Sequence, residues 1–251
     1  MKIALCISGQ PRGIPLSCEK MKWGIIDPNE DVDVFFHTWF NPENAGQPFT
    51  GAQPAQANII GKVHPNTPEI LLEQLKPRLY IIEPQRKFDW AKNLKQASSA
   101  VQEQLASMFY SMWVANSLRK QFESNTGTQY DCVVRVRFDL VYDQQIRFED
   151  YKQYLQDYIV TSQKFQDERE NPHFQHGDYT LTDIFAFSSP QNMDIFSGTY
   201  PVMSLINSKI SPPFGENYLG FQVKVMNKLK VKTVPITYEI MHRVIDLNTV
   251  K

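Results

Sequence analysis

Residues 130–143, YDCVVRVRFDLVYD, hold a period of two from end to end. Successive side chains of a strand point to opposite faces, so one face reads Cys132, Val134, Val136, Phe138, Leu140, Tyr142. The other reads Val133, Arg135, Arg137, Asp139, Val141, Asp143. A strand this apolar on one side, and central in the βα order of the chain, is expected to be covered on both faces. Buried charges must be paired or put to use, so the second face is either an Arg–Asp pairing or a ligand site.

Strand-like and helix-like runs alternate on either side of this stretch. Residues 2–8 (KIALCIS), 31–39 (DVDVFFHTW) and 78–83 (RLYIIE) read as strands, while 15–26, 67–75 and 98–124 read as helices. Thr67 is the expected N-cap of TPEILLEQL, with Pro68 at the first helical position and Glu69 in the first turn. Gly127 is suited to end the longest helix, in which Met108, Phe109, Met112, Trp113 and Leu118 form a core stripe. Residues 41–66 read as a long surface loop, and 162–180, with His173 and His176, as a polar one. Further on, QYLQDYIVTSQ holds a helix end and a strand, 181–189 form a strand, and Pro190 starts a short helix. PPFGENYLGFQVKVMNKLK makes a last long helix and VKTVPITYEIMHR closes as an extended segment. The expected class is α/β, with a mixed, mainly parallel sheet flanked by helices. No repeat or linker divides the 251 residues, so 1–251 is read as a single domain.

Composition removes several functions. With 42% hydrophobic and 21% charged residues the chain has an ordinary globular balance, and a net charge of −1 argues against nucleic acid as partner. Three scattered cysteines (Cys6, Cys18, Cys132) suit neither a disulfide framework nor a zinc site, and fit a reducing, cytoplasmic setting. MKIALCISGQPRG reads as a first strand and its turn rather than a signal peptide, and no apolar run is long enough for a transmembrane segment. The chain lacks GxxxxGK[ST], which leaves a P-loop kinase without support.

Ligands of such sheets bind at the carboxyl ends of the parallel strands. Ser8, Gly9, Gln10 and Arg12 follow the first strand, as an anion-binding turn or an ordinary one. His37 ends the second strand, as a ligand contact or a histidine with a structural hydrogen bond. Arg135, Arg137 and Asp139, with Cα atoms roughly 6–7 Å apart in a strand, match the span of a diphosphate. Asp183 and Glu216 are candidate general bases, although Glu216 could simply complement a helix dipole.

The segments IALCISGQPRG, DVFFHTW, YDCVVRVRFDLVY, LTDIFAFSSPQNMDIF and GENYLGFQV resemble, in the same order, glycosyltransferases of the WavE-type and related families. Those families are associated with lipopolysaccharide, capsule and viral glycan synthesis. The resemblance implies a GT-A-like (Rossmann-like) fold, with residues 1–143 as the nucleotide-binding half and 144–251 as the acceptor-side half. It implies transfer of a sugar from a nucleotide-sugar donor to a glycan or lipid-linked glycan acceptor. Such enzymes hold Mn²⁺ or Mg²⁺ on an Asp-x-Asp; here Arg137-Phe138-Asp139 stands in that place, so that Arg137 could itself neutralise part of the diphosphate, with Asp139 as a lone metal ligand or a ribose or sugar contact. Glu216 matches the acidic base at the start of a late helix, with Asp183 as the other carboxylate. The alternative is a catalytically inactive nucleotide- or carbohydrate-binding module of the same fold.

Overall fold

The computed structural model describes residues 1–48, 62–94, 99–163, 179–210 and 214–241. Period-two apolar runs become strands covered on both faces. In β1 (Lys2–Gly9), Ile3, Leu5 and Ile7 enter one core while Ala4 and Cys6 enter the other. β2 (Asp31–Trp39) does the same with Val34 and Phe36 against Phe35 and Trp39. Fully burying each large aliphatic or aromatic side chain contributes about 1.5–3 kcal/mol, so losing one face of such a strand would be severe.

The remaining strands are β3 (Leu79–Glu83), β4 (Cys132–Val136), β5 (Leu140–Tyr142), β6 (Tyr158–Ser162), β7 (Phe185–Ser188), β8 (Lys230–Val234) and β9 (Tyr238–Ile240). Seven form one sheet, ordered β3-β2-β1-β4-β7-β6-β8. Every neighbouring pair is parallel except the two made by β7, so β7 alone runs against the rest. β5 and β9 pair antiparallel in a separate two-stranded sheet. The helices are α1 (Leu16–Met21), α2 (Thr67–Leu75), α3 (Ser99–Thr126), α4 (Pro190–Ser197), α5 (Thr199–Asn207) and α6 (Gly215–Gly220). α1 and α2 contribute Cys18, Met21, Leu71 and Leu75 to one core; α3, α4 and α5 contribute Phe109, Met112, Met193, Phe196 and Met203 to the other. This is the mixed, mainly parallel α/β architecture expected from the sequence. Among the described residues no helix is long and apolar enough to cross a membrane.

Several local expectations need correction. Residues 130–143 are not one strand: β4 stops at Val136, Arg137–Asp139 form a turn, and β5 leaves for the second sheet. Asn66, not Thr67, occupies the N-cap of α2, and the Thr67 hydroxyl donates to the His64 carbonyl at 2.6 Å. The segment 15–26 is α-helical only as α1 and continues as a π-helical turn, Lys22–Ile26. The last helix is likewise split, α6 passing into a π-helical turn at Phe221–Met226. Trp113 does not join the core stripe of α3; it is 38% exposed. Gly127 does end α3, at φ +72°. In the 41–66 loop, Pro42–Asn44 form a 3₁₀ turn and Pro48 bridges Lys62; residues 49–61 lie outside the described residues. So do His173 and His176 of the 162–180 loop.

Candidate active site

A cavity of about 440 Å³ opens where β1, β2 and β4 end and where the segment leading into β7 begins, with α3 as its wall. Ser8 and Gly9 bring β1 to its rim. Gly9 has φ +118°, which a side chain rarely tolerates, and this conformation turns the chain toward Gln10 and Arg12. Its carbonyl accepts from the Thr38 hydroxyl (2.8 Å) and its N–H donates to Ser111 Oγ (2.9 Å). The Gln10 side-chain oxygen accepts from Arg12 Nε (2.9 Å). Ser8 Oγ is buried and finds no hydrogen-bond partner among the described residues, although Ser8 lines the cavity.

Arg135 projects from β4 into the same cavity. Its Nη1 donates to the Ile184 carbonyl (2.6 Å), while its Nε is buried without a partner among the described residues. Burial pulls its guanidinium down to about 10, against the opposing pull of the Asp183 charge. Arg137, in the turn, grips Asp139 with two parallel bonds: Nε to Oδ1 at 2.8 Å and Nη2 to Oδ2 at 2.5 Å. Burial lowers the Arg137 pKa, but the charge and hydrogen bonds of Asp139 outweigh it and hold the group above its ordinary range. Arg12 Nη1 lies 3.8 Å from the same Asp139 Oδ2. Asp183 completes the group. It is 6% exposed, lines the cavity, and its carboxylate makes no hydrogen bond among the described residues.

Eight of the ten candidate residues therefore meet in one cavity: Ser8, Gly9, Gln10, Arg12, Arg135, Arg137, Asp139 and Asp183. His37 is not among the lining residues. It is fully buried, with Nδ1 2.7 Å from Ser111 Oγ and Nε2 3.0 Å from Glu83 Oε1. Burial lowers its pKa, against the opposing effect of Glu83, so the ring is neutral. The network then assigns the proton to Nε2, donating to Glu83, with the Ser111 hydroxyl donating to Nδ1. In place of a substrate contact, the ring holds Ser111, which in turn holds the N–H of Gly9.

Glu216 is also absent from the lining residues. It stands in the first turn of α6, and its backbone carbonyl accepts from Leu181 N (3.1 Å). Asn217 Oδ1 accepts from Thr180 Oγ1 (2.9 Å), and Lys224 donates to the Thr180 carbonyl (2.8 Å). GENYLG and the turn after it thus clamp the segment that delivers Asp183.

Sequence reasoning missed Ser111, Glu83, Gln85, Ser107, Glu103 and Gln104. They gather only because α3 lies across the strand ends; Ser111 is 74 residues from His37. Trp39, expected as packing, does pack, yet it also lines the cavity. It stacks on Tyr110 (5.7 Å, 24°), which meets Tyr200 (5.2 Å), and Tyr200 stacks on Trp113 (5.8 Å, 28°).

The donor set fits a divalent ion poorly. Both Asp139 oxygens are engaged by Arg137, and no group of three or more His, Cys, Asp or Glu side chains suited to a metal occurs among the described residues.

Sheet and cavity together define an α/β protein with an arginine-lined crevice at the carboxyl ends of its parallel strands. No family model matches the chain, and no curated protein matches it. Among solved structures it is similar to the apo form of the glycosyltransferase GlyE of Streptococcus pneumoniae TIGR4, at 10% identity and TM-score 0.45, over 92% of this chain and 45% of that one. A second GlyE structure gives 8% identity and TM-score 0.42, over 93% and 45%. The apo form of mouse xyloside xylosyltransferase 1 gives 10% and 0.40, over 93% and 84%. The chain thus spans less than half the length of GlyE.

Proposed function

We propose that this protein is a GT-A-like glycosyltransferase that moves a sugar from a nucleoside diphosphate donor to a hydroxyl of a glycan acceptor. One observation carries the reading: three arginines and a buried carboxylate, which makes no hydrogen bond among the described residues, converge on a single cavity at the strand ends. The arginines suit a diphosphate, because guanidinium forks match phosphate oxygens and stabilise charge that grows as the group departs.

Asp183 takes the acceptor proton. As the acceptor oxygen bonds to the anomeric carbon, the bond from that carbon to the diphosphate oxygen breaks, and its electron pair leaves with the diphosphate toward Arg12, Arg135 and Arg137. Asp183 is preferred to Glu216 because it lines the cavity and Glu216 does not. Residues 1–143 supply the arginines and 144–251 the base. Trp39, Tyr110, Tyr200 and Trp113 lead away from the cavity as an aromatic run on which the apolar faces of acceptor sugars can stack, with the Arg86 guanidinium 5.1 Å from the Tyr110 ring.

The test is a panel of nucleotide sugars, scored for release of free nucleoside diphosphate with and without glycan acceptors. In the Asp183→Asn variant, donor affinity should stay close to that of the parent while transfer falls by about 10²–10⁴-fold, the usual weight of a general base. Equal turnover by the variant removes Asp183 from the mechanism. If the unaltered protein binds donor but never turns it over, the inactive binding module is the better reading.

A further inference from the structure

We propose that the donor diphosphate is held without a divalent ion, by Arg12, Arg135, Arg137 and the Ser8 hydroxyl, and that Asp139 is a positioning residue for Arg137 rather than a metal ligand. This deepens the glycosyl-transfer reading and rests on it. The departure from the Asp-x-Asp expectation follows from what Asp139 touches. It is almost completely buried, and each of its oxygens accepts from a different nitrogen of one guanidinium, 2.8 and 2.5 Å away. A second guanidinium, Arg12, stands 3.8 Å from Oδ2.

To ligate Mn²⁺ or Mg²⁺, Asp139 would have only the lone pairs that the fork leaves, and the ion would compete for the carboxylate charge that offsets the largely buried Arg137. The doubly charged ion would then sit beside Arg137 and Arg12, where like charges repel. Asp183 and Glu103 line the same cavity, yet among the described residues they do not gather with Asp139 into a three-carboxylate group. Hard divalent cations want several oxygen ligands at short range, and that set is not assembled here.

The cavity instead offers donors that lack acceptors. Arg135 Nε and Ser8 Oγ are both buried, both without a hydrogen-bond partner among the described residues, and both belong to residues lining the cavity. Buried polar groups in native proteins are nearly always satisfied, so two orphans on side chains that line one cavity point to an acceptor-rich occupant. Phosphoryl oxygens supply such acceptors: Arg135 can offer its Nε edge and Ser8 its hydroxyl. Arg137 keeps its fork on Asp139 and presents its remaining N–H groups. The role of the metal, neutralising the leaving group, then passes to guanidinium charges fixed before the donor arrives.

The experiment is calorimetric titration of UDP, GDP, CDP and ADP into the full chain, once in EDTA and once in Mn²⁺. At least one diphosphate should bind, with affinities in the two buffers within about threefold of each other. Asp139→Asn should weaken that binding about tenfold in both buffers alike, because it loosens Arg137. Should Asp139→Asn fail to fold, Ser8→Ala is the second probe; it removes a buried hydroxyl that bonds to nothing, so its melting temperature should hold while binding in EDTA weakens several-fold. Binding that is lost in EDTA and restored by Mn²⁺, or an Asp139→Asn defect confined to the Mn²⁺ buffer, overturns the metal-free cradle and leaves the glycosyl-transfer reading standing. No diphosphate bound in either buffer removes both.

Discussion

At the level of single residues, the chain that runs from Glu83 through His37 and Ser111 to the N–H of Gly9 ties the β1 turn to the protein interior. It also makes stability depend on pH. Burial holds His37 below its ordinary 6.5, so the folded protein keeps it neutral while the unfolded chain takes up a proton as the pH drops past that value. In that window the unfolded state binds more protons, and stability falls as pH falls until the folded pKa is passed. The unfolding free energy in urea should therefore decline between about pH 7.5 and about pH 5.5, with a shallower slope for His37→Gln. An identical slope in the variant would shift the effect to another group. Arg135, Arg137 and Asp139 were legible in the sequence because charge on one face of an apolar strand is expensive and therefore informative. Ser111 and Glu83 were not, since a serine in a helix and a glutamate at a strand end carry no local signal of what the fold brings against them.

Among the elements, α6 has a task its sequence did not announce. GENYLG looked like the carrier of a base, but its backbone and Asn217 grip residues 180–181, and so set the position of Asp183. Gly220 permits the contact, since a Cβ there would overlap the Tyr179 carbonyl. Because that obstacle is backbone, Gly220→Ala should cost about 1–3 kcal/mol, read as a lower melting temperature. Under the proposed function it should also reduce transfer more than donor affinity, because it displaces Asp183 and not the arginines. On α3, Trp113 is the exposed end of the aromatic run. Trp113→Ala is expected to raise the acceptor KM about three- to tenfold, the size of one lost aromatic contact, with donor hydrolysis unchanged. The bounds of β2, Asp31–Trp39, were plain from its apolar run. The break at Arg137 was not, for the turn Arg137-Phe138-Asp139 contains no glycine, proline or asparagine and continues the period of two straight through.

For the whole molecule, the central fact is that one sheet is shared by both halves of the sequence. β4, from the first half, pairs with β1 on one side and with β7, from the second half, on the other. Residues 1–143 alone would leave β4 as an apolar open edge, so that piece should show no cooperative unfolding transition by circular dichroism, whereas the full chain should melt in one step. A sharp two-state melt of the fragment would establish two folding units. Ligand binding should act on the same single transition: a nucleoside diphosphate at about one hundred times its Kd should add about 2.7 kcal/mol of stability and raise the melting temperature accordingly. Alternating strand and helix patterns disclosed the class of the fold. Which strand is reversed was invisible to them, since neighbour direction leaves no trace in hydropathy.

That reversal has an outcome of its own. The forward strands hand over the arginines as they exit the sheet, whereas β7 delivers Asp183 on the way in. The carboxylate and the arginines of the cavity are thus mounted on segments of opposite polarity, and under the proposed function so are proton abstraction and retention of the nucleoside diphosphate. Lengthening or shortening the approach at 179–184 would retune which hydroxyl is chosen while the grip on the departing group stays as it was, leaving the two specificities free to diverge separately.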